Sequence, residues 1–131
     1  MKTKTKLLLV TLSLLLKSVL ASGQTLNSVV PKGSTVFITS KDDLAQSDAE
    51  DQLKKSMYWN IVDDSDRADL FIEFVIIEER VDRYKGFIIV TSHKTGKIVF
   101  KSKTIDTLGT WTYHAKRAIV RKIIKKVIYD S

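Results

Sequence analysis

His93 and His114 are the only histidines in the 131-residue chain, and there is no cysteine. Without a thiol there is no disulfide, no thiolate metal ligand and no cysteine nucleophile. The two histidines lie on different predicted elements and form no His-x-x-x-His pair, so a metal site would need carboxylates from elsewhere. The run Asp63-Asp64-Ser65-Asp66-Arg67-Ala68-Asp69 is dense in oxygen ligands. It lacks the glycine turn and distal glutamate of a calcium loop, and Arg67 stands inside it. It reads as a solvated loop. Glu78, Glu79 and Asp82 could do acid–base work, but Arg80, Arg83 and Lys85 around them make a mixed-charge exposed turn. Thr107-Leu108-Gly109-Thr110 precedes the last predicted helix, whose amino end would attract an anion. With a single glycine it reads better as a loop leading into a helix capped by Thr110. No P-loop, dinucleotide fingerprint or Gly-x-Ser-x-Gly elbow occurs. The sequence therefore points to no catalytic residue, no cofactor, no metal and no small-molecule substrate.

Two other features have more content. Residues 111–131 carry six basic residues and one acid, Asp130, whereas residues 24–110 carry 12 basic and 14 acidic ones. Lys122, Lys125 and Lys126 on this final segment are candidates for contact with an anionic membrane surface or polymer, and a solvated helix face is the competing account. The second feature is an apolar run on both sides of one strand. Phe71, Val75 and Ile77 alternate with Leu70, Ile72, Phe74 and Ile76, interrupted by Glu73. If helices cover the second set, the first forms an apolar patch unusual on a soluble monomer. Such a patch would be an interface for an envelope protein or for a second copy of the chain. Alternatively, residues 24–33 with Val29 and Val30 would fold over it, or the patch is ordinary sheet exposure.

The elements that must position these residues follow from periodicity. Residues 34–39 (STVFIT) read as a strand, with Val36 and Ile38 pointing one way. A helix follows, capped by Ser40, with the stripe Leu44, Ala45, Ala49, Leu53 and Met57, ending near Tyr58. Residues 69–78 form the longest strand, residues 86–93 the next and residues 97–103 the last. Lys94-Thr95-Gly96 is a hairpin connection whose glycine supplies a positive φ. A final helix over 110–129 carries Ile119, Val120, Ile123, Ile124, Val127 and Ile128 in two parallel rows. The order is β-α-β-β-β-α. Its simplest arrangement is an α/β (α+β) two-layer sandwich: a four-stranded mixed sheet with two helices on one face. A chain of this size forms one domain, here residues 34–131, preceded by an arm or linker over 24–33.

Residues 1–23 read as a signal peptide. Lys2, Lys4 and Lys6 precede the apolar stretch Leu7–Leu16, and KSVLASG follows. Ten apolar residues as a helix span about 15 Å, half of a roughly 30 Å hydrocarbon core. Cleavage is expected after Ala21 or, preferably, Gly23. With no cysteine there is no thiol for a lipoprotein anchor. The chain is expected to be periplasmic or secreted, which argues against nucleic acid as its partner.

The segment TVFITSKDDL, the Ala68-Asp69-Leu70-Phe71-Ile72 opening of a strand, the Thr95-Gly96-Lys97 hairpin and the terminal amphipathic helix together resemble small exported bacterial α/β domains such as the TolB amino-terminal domain. The resemblance covers most of residues 34–130 and rests mainly on element order. It implies an adaptor-like envelope domain and supplies no active-site residues. The leading expectation is an exported, non-enzymatic binding or adaptor module of the cell envelope. The alternatives are peripheral binding to an anionic membrane or polymer through the terminal helix, and a small hydrolase or metal-dependent enzyme.

Overall fold

The computed structural model describes residues 25–80, 83–107 and 115–130. The signal-peptide reading of residues 1–23, together with Asp82, His114 and the Thr110 cap, lies outside them. In chain order the elements are α1 (Leu26–Val29), β1 (Thr35–Thr39), α2 (Asp43–Ser56), β2 (Asn60–Ile61), a 3-10 turn (Ser65–Arg67), β3 (Leu70–Arg80), β4 (Arg83–Ser92), β5 (Ile98–Lys101), β6 (Ile105–Asp106) and α3 (Ala115–Ile123), which continues as a π-helix over Ile124–Tyr129.

The α+β class and the single mixed sheet are as expected, but the sheet has six strands rather than four, in the order β2-β1-β3-β4-β5, with β6 also on β4. β1 runs parallel to both β2 and β3, while β3, β4 and β5 form an antiparallel meander. The two extra strands are only two residues long, too short for a period to show in sequence. β5 and β6 lie one after the other along the same edge of β4. Buried Ser102 bridges the break between them: its hydroxyl accepts from the Ile88 N–H (2.9 Å) and its own N–H donates to the Ile88 carbonyl (3.0 Å). Both backbone groups of a buried central residue are thereby satisfied.

The core lies between the sheet and the helices. Val36, Ile38, Ile72, Phe74, Ile88 and Val90 point into it and are at most 1% exposed. Ala45, Ala49 and Leu53 of α2 and the two rows of the terminal helix meet them. Gly86 belongs to this face. A methyl group there would meet the Val75 carbonyl oxygen at 2.7 Å and Ile123 Cδ1 at 3.0 Å. The glycine is what lets the last helix lie close on β4.

Ser40 does not cap α2. Asp42 does, accepting from the Ala45 N–H at 3.0 Å, while Ser40 Oγ donates to the Phe74 carbonyl at 2.7 Å and ties the start of α2 to β3. The helix ends on Met57, which takes the left-handed conformation at φ 55° and is 82% exposed.

The change from α to π in the terminal helix has a reading in its sequence. The buried pairs 119/120, 123/124 and 127/128 repeat every four residues. An α-helix drifts about 40° per four-residue step, so both rows would rotate off the sheet. The wider π turn, seen in the Asp130 N–H donating to the Lys125 carbonyl at 3.1 Å, turns them back toward it.

Residues 25–33 are part of the domain rather than a loose arm. Leu26 and Val30 are fully buried in the same core as the helices. Trp59 Nε1 donates to the Val30 carbonyl (3.1 Å), the Tyr58 hydroxyl donates to Asn27 Oδ1 (2.7 Å), and Gly33, at φ 89°, donates its N–H to the Tyr58 carbonyl (2.9 Å).

Candidate interaction surface

Because α1, α2 and the terminal helix all join the same core, the alternate residues of the strands point away from it. Register decides which of them become neighbours. β1 and β3 place Phe37 beside Phe71 and Thr39 beside Glu73. β3 and β4 place Phe71 beside Thr91, Glu73 beside Ile89 and Val75 beside Phe87. β4 and β5 place Thr91 beside Ile98 and Ile89 beside Lys101, across a register shift that Val99 absorbs. Side chains of directly paired residues share a face. The open face therefore carries Phe37, Phe71, Val75, Phe87, Ile89 and Ile98 in an apolar patch, with Glu73, Thr91 and Lys101 set among them.

Aromatic contacts organise the upper part of this patch. Phe71 stands edge-on to Phe37, with ring centroids 6.0 Å apart, and lies against the His93 ring at 4.9 Å. Lys101 Nζ lies 4.8 Å from the centre of the Phe87 ring, within cation–π range. Phe71 and Val75 are partly exposed, Ile77 is 39% exposed and Ile98 is 54% exposed. Toward the tip of the β3–β4 hairpin the face turns polar. Glu79 pairs with Lys85 at 2.9 Å and with Arg83 at 3.5 Å. The Lys85 ammonium holds the Glu79 carboxyl below the usual range.

The terminal helix is fully committed on its apolar side. Ile119, Val120, Ile123, Ile124, Val127 and Ile128 are at most 5% exposed. Lys125 and Lys126 are exposed and Lys122 is partly so. Lys116 instead reaches back to the α2 cap, with Nζ 2.7 Å from Asp42 Oδ2. That contact holds the Asp42 carboxyl below its ordinary value and raises the Lys116 ammonium above its own. An open groove of about 610 Å³ separates α2 from this helix, lined by Asp48, Asp51, Lys55, Arg121 and Tyr129 among others. Its walls carry both signs of charge.

The described residues singled out for chemistry do not converge on one site, although His93 abuts the end of the acidic loop. His93 uses Nδ1 to bond the Ala68 carbonyl at 2.6 Å and packs its ring on Phe71. In the acidic loop, Asp64 accepts from the Asp66 N–H (3.0 Å) and Asp63 pairs with Lys54 (3.0 Å), which raises the Lys54 ammonium. Thr107 Oγ1 exchanges hydrogen bonds with the backbone of Tyr84. Among the described residues, no group of three or more His, Cys, Asp or Glu side chains could hold a metal ion. No described helix is long and apolar enough to cross a membrane.

Phe71, Val75 and Ile77 were accessible to periodicity. Phe37, Ile98 and Lys101 were not, because they join the patch through pairings between separate segments. The visible signal was the apolar character of both halves of FIIV in β4.

No family model matches the chain, and no curated protein matches it. Among solved structures it is similar to a PelC dodecamer from Paraburkholderia phytofirmans, with 14% identity and a TM-score of 0.48, over 76% of this chain and 86% of that one. That likeness is too distant to bear on function.

Proposed function

We propose that this chain is an exported, non-enzymatic binding domain of the bacterial envelope that engages protein through the open face of its sheet. One observation carries the reading. Both long helices and residues 25–33 pack into the core behind the sheet, while the opposite face keeps an apolar patch that spans β1, β3, β4 and β5. Soluble monomers rarely expose such a patch without a use for it. The leader-like residues 1–23 and the resemblance in element order to exported envelope domains support the compartment.

The test is photo-crosslinking in intact cells from a photoreactive residue placed at Ile89, with Asp51 on α2 as control. Crosslinked protein from Ile89 and none from Asp51 is expected. An inert Ile89 position beside a reactive Asp51 position would move the interface to the helices and end this reading.

The basic outer side of the terminal helix supports a second, electrostatic contact. Its apolar rows are buried, so any attachment to an anionic membrane or polymer is through charge alone. Association with anionic liposomes should then vanish with added salt and with the pair Lys122→Glu and Lys125→Glu. Binding insensitive to both would remove this contact.

A further inference from the structure

We infer that the partner on the open face is a second copy of this chain, packed sheet to sheet about a two-fold axis that runs along β4 past Ile89. The inference rests on the open face being a protein interface and names its occupant.

The centre of the patch carries two charges of opposite sign. Glu73 pairs in register with Ile89 on one side, and Lys101 pairs with Ile89 on the other. The two therefore flank Ile89 symmetrically, one strand away in each direction, about 5 Å apiece. Among the described residues neither forms an ion pair. Lys101 instead lies over the Phe87 ring. Glu73 is partly buried, with Ile89 beside it on β4 and Thr39 beside it on β1. An apolar partner would strip water from its carboxylate and return nothing, which is unfavourable.

A two-fold axis parallel to β4 and lying between the sheets exchanges left for right and keeps the position along the strand. It places Glu73 of one copy over Lys101 of the other, and Lys101 over Glu73. Ile89 then meets its own counterpart, and Phe71 faces Ile98 one row along. The same operation leaves no like charges opposed in that central row. Isologous packing requires this self-complementarity. Face-to-face sheets cross at about 30°, a rotation that two long side chains near the axis accommodate.

The experiment is sedimentation equilibrium on the full chain, expressed from residue 1, with circular dichroism to show that each variant is folded. The wild-type chain should dimerise, and Ile89→Asp should abolish the dimer. Glu73→Lys and Lys101→Glu should each weaken it by at least about tenfold, because each opposes like charges twice. Combining both substitutions in one chain should recover affinity to within about threefold. Mixing the two single variants should likewise produce a heterodimer. Lys101 is exposed, so its variant tests the register even if Ile89→Asp does not fold. A monomer at high-micromolar concentration, or a dimer with no charge-swap rescue, overturns the inference. If the monomeric chain still crosslinks another envelope protein from Ile89, the face remains an interface and only the self-pairing is lost. A monomer that crosslinks nothing removes both.

Discussion

The two faces of the sheet are made by the same strands from similar residues, yet they have opposite fates. Phe74 and Val75 are adjacent in sequence, and so are Ile88 and Ile89. The first of each pair is fully buried and the second stays partly exposed. What separates the faces is what each can receive. The helix side has Gly86, where the missing side chain admits Ile123. The other side has Glu73 and Lys101 near its middle, and a helix with an apolar stripe would desolvate both. The contrast shows that apolar content alone does not select the covered side of a sheet. Small residues and isolated charges do.

The largest expected effect tests that contrast directly. Phe74→Ala removes a fully buried ring and should cost about 3–5 kcal/mol in urea unfolding. Phe87→Ala on the open face should cost only about 1–2 kcal/mol at concentrations where the chain is monomeric. Equal costs would mean that the open face is as well packed as the core, and the comparison would break. Gly86→Ala sharpens it from the other side. With backbone oxygen in the way, overpacking should cost about 1–3 kcal/mol; an unchanged midpoint would show that the helix does not depend on this close approach.

Smaller effects lie in the helix layer. Met57→Gly relieves a left-handed residue on an exposed corner and should raise stability by a few tenths to about 1 kcal/mol. A loss of stability would show that the Met57 side chain contributes despite its exposure. The smallest effect concerns the tie between the helices. Asp42 has its folded pKa depressed by Lys116, so its contribution is present above the ordinary carboxylate value and fades as pH falls through the folded one. Lys116 is raised, so its contribution holds below the ordinary lysine value and fades as pH rises through the folded one. Asp42→Asn keeps the cap and should flatten the acid limb of the stability curve without shifting the helix content. An unaltered acid limb would place that pH dependence in other carboxylates.

Local pattern made the main elements legible. Alternation in residues 35–39 and 70–78 and the paired rows of the terminal helix are contained within single segments, and their physics is that of one segment against water. Ser40 was a reasonable cap by type, but Asp42 won because the hydroxyl of Ser40 had a backbone carbonyl on β3 within reach. The two-residue strands β2 and β6 were not legible, since two residues have no period. The burial of Leu26 and Val30 was hidden for a different reason. It depends on Trp59 and Tyr58, some thirty residues along.

By itself, then, the sequence determined the types of the longer elements, the Ala45, Ala49 and Leu53 part of the α2 stripe (Leu44 and Met57, expected in it, are exposed), the apolar rows of the terminal helix and the pairing of Phe71, Val75 and Ile77 on one side of a strand, because side-chain periods of two and of about 3.6 residues are set by backbone geometry. Only the tertiary structure decided which side the helices cover, where residues 25–33 pack, and that Glu73 and Lys101 stand on either side of Ile89. Those outcomes depend on register and packing between segments far apart in the chain, where a shift of one residue would send every side chain to the opposite face.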